Sequence, residues 1–134
     1  MRPRAHLSVS LMLAIACAAS GSYAADTTPA QQLAHWSAAA GQPGDAARGQ
    51  RFFEARHGRE WSCATCHGAP PSTQGKHART GKALAPLAPA FNTQVFTDTA
   101  KVDKWFKRNC SDVLSRECTP AEKADVLAYL LQVR

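Results

Sequence analysis

Cys63-Ala64-Thr65-Cys66-His67 is the stretch whose residue types and spacing point most directly to chemistry. Two thiols separated by two residues, with an imidazole directly after the second, match the pattern of covalent c-type haem attachment. The chemistry needs that spacing. Both thiols add to the haem vinyl groups from one helical turn, and the adjacent imidazole swings beneath the iron. His67 must be neutral to coordinate, and its second ring nitrogen needs an acceptor, for which a backbone carbonyl near Pro70 is in reach. A redox disulfide or half a zinc site also uses Cys-x-x-Cys. However, no strand-helix-strand pattern surrounds this pair, and no second pair has ligand spacing. The motif occurs once, so one covalent haem c is expected.

The far side of the iron is a separate question. The only methionines are Met1 and Met12, so a methionine ligand of the kind that raises a cytochrome potential is missing from the rest of the chain. Of His35, His57 and His77, the last lies in a Gly/Lys-rich loop and suits bis-histidine ligation best. Asn109 is the competing candidate. At about 100° per residue it shares a helical face with Val102, Trp105 and Phe106. An amide on an apolar face must be hydrogen-bonded or coordinated, because leaving it unpaired costs about 1–3 kcal/mol. A helix-ending residue whose amide caps local backbone would also explain it. Cys110 and Cys118 flank this point and have no other partner. A disulfide between them would stabilise by about 2–3 kcal/mol and join the third helix to the fourth.

The elements that must position these groups lie beyond an export signal. Arg2 and Arg4 precede an apolar run from Leu7 to Ala19, and Ser22-Tyr23-Ala24 gives small residues at cleavage spacing. Residues 1–25 therefore read as a signal peptide and 26–134 as one domain, exported to the periplasm with no stable membrane insertion after cleavage. Lipidation at Cys17 is disfavoured, because Ala14 stands where a Leu-like residue is wanted. Removing Arg2 and Arg4 lowers the net charge from +6 to +4, and no Lys/Arg run suggests a nucleic-acid tail.

Four helices are expected, and no strand pattern is convincing: the fold class is all-α. The first follows a capping box at Thr28-Pro29-Ala30-Gln31 and stops at Gly41, with Leu33, Trp36 and Ala40 inward. The second runs from Asp45 as N-cap to about Arg56, and Gly49 in its Ala46/Phe53 stripe lets another helix come close. The third spans 99–109. The last opens with a capping box at Thr119-Pro120-Ala121-Glu122 and turns Ala124, Leu127, Leu130 and Leu131 inward. Residues 69–96, with four prolines and two glycines, form a long irregular stretch of the kind that wraps something. Such short helices bury a modest core, and a large apolar cofactor would supply the missing centre.

One motif followed by two helices suits the small class I cytochrome c arrangement of about four helices around one haem. Several blocks then carry a closer resemblance: Cys63-Ala64-Thr65-Cys66-His67-Gly68, Arg79-Thr80-Gly81-Lys82, Ala85-Pro86-Leu87-Ala88-Pro89, Phe96-Thr97-Asp98, Lys104-Trp105, Arg108-Asn109-Cys110 and Cys118-Thr119-Pro120 with Glu122-Lys123-Ala124-Asp125. From Thr28 to Leu131 the chain resembles the sphaeroides haem protein family, monohaem high-spin class I cytochromes c. The resemblance implies His67 as proximal iron ligand, Asn109 as distal ligand of the oxidised state, and a Cys110–Cys118 bridge. It implies that the amide leaves on reduction and opens a site for oxygen or nitric oxide, and that the redox partner is a cytochrome resembling a dihaem cytochrome c. Arg79 and Lys82 are candidates to neutralise the haem propionates, solvated loop cations being the other reading. A bis-histidine carrier using His77 and a haem enzyme reducing oxygen, peroxide or nitric oxide stay open. The enzyme would want a distal acid–base residue, and none stands out.

Overall fold

The computed structural model describes residues 25–58 and 60–134. The export signal and Cys17 lie outside the described residues. Among these, α1 spans Pro29–Ala40, α2 Ala46–Glu54, α3 Cys63–His67, α4 Thr99–Leu114 and α5 Pro120–Gln132. A two-residue antiparallel hairpin, β1 Gly75–Lys76 and β2 Ala83–Leu84, pairs Gly75 with Leu84 and Lys76 with Ala83. The fold is helical with one minimal ribbon, against the expectation of no strand. The attachment motif adds a fifth helix to the expected four.

Local capping starts the helices where the sequence places them. Thr28 Oγ1 accepts from Gln31 N at 3.2 Å, Pro29 fills the first turn, and Gly41 ends α1 at φ 67°. The Gln31 side chain does not return the bond, so only half of that box forms. Asp45 Oδ1 accepts from Arg48 N at 2.7 Å and starts α2, which ends at Glu54, before the expected Arg56. At α5 the box is complete: Glu122 N donates to Thr119 Oγ1, and Thr119 N donates to Glu122 Oε2.

α5 is the centre of the molecule. Ala124 to Leu130 are all buried, and Leu131 is half-buried. Close backbone packing joins α1 and α2 to α5, and α2 to α3. Gly49 permits this: a Cβ there would collide with the Asp125 carbonyl. Asp125 is itself buried, and its charge is fully answered. Its Oδ2 accepts from Arg48 Nε at 2.8 Å, and its Oδ1 accepts from Arg48 Nη2 and Asp45 N at 2.9 and 2.7 Å.

α4 packs its backbone against the other described helices much less closely than α1 and α2 pack against α5. Its N-terminal end is tied to Asp26, whose Oδ1 accepts from Thr99 N at 2.8 Å. Its middle touches α1 edge-on through Phe106 and Trp36, ring centres 6.4 Å apart. Elsewhere the inner face of α4 borders a large cavity.

Candidate haem site

Ser62 builds the attachment turn. Its Oγ accepts from Thr65 N at 3.2 Å, while Ser62 N donates to Thr65 Oγ1 at 2.9 Å, a capping box around a single helical turn. The sequence reasoning missed it, because threonine is not the usual partner residue, although the Ser-x-x-Thr spacing was there to read. With its start fixed, α3 presents Cys63, Cys66 and His67 to one cavity. Phe53 of α2 braces the turn, its ring centre 6.3 Å from that of His67 and 5.5 Å from that of Tyr129 in the core. On the other flank Ala78 N donates to Cys66 Sγ at 3.3 Å, and Gly75 lies so close to the turn that a Cβ would strike the Cys66 carbonyl.

The cavity holds about 660 Å³ and is mostly apolar. Its walls come from α3, the irregular segment through Leu84, Pro86 and Leu87, Val126 and Leu130 of α5, and the inner face of α4. The irregular stretch does wrap something: this space. That volume and lining suit a large flat apolar cofactor.

The donor set also fits haem. Burial holds the His67 pKa below the ordinary imidazole value, with the neighbouring His77 a smaller electrostatic cause, which favours the neutral ring that a ligand must be. Its Nδ1 is buried and has no hydrogen-bond partner; the carbonyl expected near Pro70 does not receive it. Nε2 is thus the nitrogen left to face the cavity. Burial pushes the Cys63 thiol up to about 11, so it is a neutral thiol at physiological pH, and Cys63 and Cys66 are not bonded to each other. Among the described residues no group of three or more His, Cys, Asp or Glu side chains is placed to hold a metal ion by itself, which leaves a zinc site without its second half.

Asn109 lines the same cavity together with Val102, Trp105 and Phe106, the face expected from their spacing. It does not end the helix. α4 continues to Leu114 and is capped by Ser115, so Asn109, exposed on the cavity side, is not the cap of the helix. Next to it, Cys110 is bonded to Cys118.

The remaining candidates divide by place. His77 lines the cavity, but on the flank of Cys66 and His67, and its Nδ1 accepts from Arg79 N and Thr80 N at 3.3 Å each. His35 sits edge-on to Trp36, and His57 Nε2 is bonded to the Phe52 carbonyl oxygen at 2.7 Å; neither lines the cavity. Arg79 and Lys82 lie on the hairpin turn, exposed and outside the lining. Arg79 stacks 5.0 Å from the ring centre of Trp61, which does line it.

Residues 39–130 match the family described as Domain of unknown function (DUF1924). The cytochrome c-type protein SHP of Cereibacter sphaeroides is 51% identical over 111 residues, covering 80% of this chain and 85% of that one. The solved structure of oxidised SHP, an oxygen-binding cytochrome c, superposes with a TM-score of 0.73 over 78% of this chain and 96% of its own. The solution structure of cytochrome c'' from Methylophilus methylotrophus, solved to understand haem-ligand detachment, is 35% identical with a TM-score of 0.67, covering 78% and 93%. The chain therefore belongs to the sphaeroides haem protein family of small c-type cytochromes, and its cofactor is covalently bound haem c.

Proposed function

We propose that this chain is a periplasmic cytochrome that accepts electrons from a redox-partner cytochrome and binds a diatomic ligand, oxygen or nitric oxide, at the ferrous haem. In this reading Cys63 and Cys66 hold the haem, His67 is the proximal ligand, and Asn109 is a distal ligand that is held when the centre is oxidised and released on reduction. The observation that carries it is one cavity lined both by the attachment turn, with Cys63, Cys66 and His67, and by Asn109 of α4.

When bound, the haem supplies one-electron chemistry and an axial position. The protein supplies the rest. Burial keeps the His67 imidazole neutral and leaves Nε2 for coordination. Asn109 offers a neutral amide oxygen, a hard donor better matched to the ferric than to the ferrous charge. A weak donor of this kind gives way readily to a gas molecule. α4 holds the amide on the cavity face, fixed by the Cys110–Cys118 bridge. Arg79, stacked on a wall residue, and Lys82 on the same turn are the cations assigned to the propionates.

Two relatives support the gas-binding half: SHP is described as oxygen-binding, and cytochrome c'' as a protein whose haem ligand detaches. His77 lies near enough to His67 to lower its pKa and its Nδ1 accepts from the turn amides of Arg79 and Thr80, which favours asparagine over a second histidine. The visible spectrum and electron paramagnetic resonance of ferric wild-type and Asn109→Ala protein test the assignment. The variant is expected to shift the Soret band and the g-values; an unchanged ferric spectrum would remove Asn109 from the iron.

A further inference from the structure

α4 carries four cations, and they are not equivalent. Lys101 is paired with Asp98 at 2.9 Å and Lys107 with Glu117 at 3.6 Å. Lys104 and Arg108 have no carboxylate partner among the described residues. Both instead lie over the ring of Trp105, Lys104 Nζ 5.3 Å and Arg108 Cζ 5.8 Å from its centre. Trp105 lines the haem cavity, while Lys104 and Arg108 are exposed and outside the lining. Trp105 is 47% exposed, so one indole both lines the cavity and reaches the surface, where Lys104 and Arg108 lie over it without a carboxylate partner among the described residues. Trp61, the other cavity-lining tryptophan, carries one cation.

We propose that Lys104, Trp105 and Arg108 form the docking patch through which a carboxylate-bearing electron-donor protein delivers electrons to the haem. The inference rests on the cytochrome reading above and adds the place of entry. Two unpaired cations on a surface helix attract negative charge, and the flat guanidinium accepts a carboxylate in two-point fashion. Tryptophan and arginine are the residues that anchor protein interfaces. The indole touches both the surface cations and the cavity, and so gives a direct protein path between them. The transfer makes and breaks no bond: the donor protein loses one electron and the ferric centre gains it.

Flash reduction of the ferric holoprotein tests this with two probes, an acidic flavodoxin and uncharged lumiflavin semiquinone. Lys104→Ser/Arg108→Ser should slow reduction by flavodoxin about tenfold at low ionic strength and flatten its salt dependence. The lumiflavin rate and the ferric Soret band should stay as in the wild type. Arg51→Ser/Arg134→Ser removes the same charge elsewhere and should leave the flavodoxin rate near the wild-type value. A Lys104/Arg108 variant with an unaltered flavodoxin rate, or an equal loss in the Arg51/Arg134 variant, overturns the patch. So does a shifted Soret band or lumiflavin rate, which would assign the two cations to the haem itself. Failure of the asparagine reading would appear in the spectra and gas binding, with the flavodoxin rates intact.

Discussion

Cys110, on the cavity side of α4, is bonded to Cys118 at the entry to α5, with their Cα atoms 5.5 Å apart. With α4 packed only loosely on the other described helices, this bond is a covalent tie between the helix that carries Asn109 and the molecular centre. Cys110→Ser/Cys118→Ser should lower the stability of the holoprotein by about 2–3 kcal/mol. It should also raise the fraction of ferric protein lacking a distal protein ligand. Denaturant titration and the ferric spectrum read the two effects.

Gly49→Ala gives opposite signs for two causes. Helix propensity alone favours alanine by about 0.5–1 kcal/mol. The Asp125 carbonyl occupies the place of the new Cβ, so overpacking should dominate and destabilise by about 2–3 kcal/mol. A lower thermal midpoint is the expected result.

Arg116 holds the Glu122 carboxyl below its usual pKa, through hydrogen bonds at 2.7 and 2.8 Å. A carboxyl depressed in the folded state stabilises above its ordinary pKa, and the contribution fades as pH falls through the folded value. Glu122→Gln should therefore cost about 0.5 kcal/mol at pH 7, because the Arg116 side chain is half exposed and the pair is screened by solvent. Urea midpoints of variant and wild type should converge below the ordinary glutamate pKa of 4.5.

His77→Ala separates the asparagine reading from a bis-histidine carrier. With His77 on the flank of His67, the variant should keep the ferric spectrum of the wild type and lose only the turn contacts to Arg79 and Thr80. A bis-histidine protein would lose its low-spin bands.

Much of this was legible because it is local. Thr28, Asp45 and Thr119 are N-caps that act within three residues, and Cys63-x-x-Cys66-His67 declares its own turn. The shared face of Val102, Trp105, Phe106 and Asn109 follows from helical periodicity. The length of α4 was not legible. Asn109, Ser111 and Asp112 favour a helix end by propensity, and the helix persists because Cys110 is bridged and Val113 is buried. Nor was the burial of Asp125, since the arginine that answers its charge is Arg48, far away in sequence. The acceptor expected for His67 Nδ1 near Pro70 also failed, because backbone carbonyl direction in an irregular loop is not encoded in any short pattern.

Asn109 on the cavity face matters only if its hold on the iron depends on oxidation state. Anaerobic reduction followed at once by carbon monoxide, watched by stopped-flow absorbance, measures that dependence directly. High-spin ferrous protein that takes up the gas within the mixing time is the expected result. Low-spin ferrous protein that stays inert to carbon monoxide would mean a distal bond that outlasts reduction, and would contradict ligand release as the basis of function.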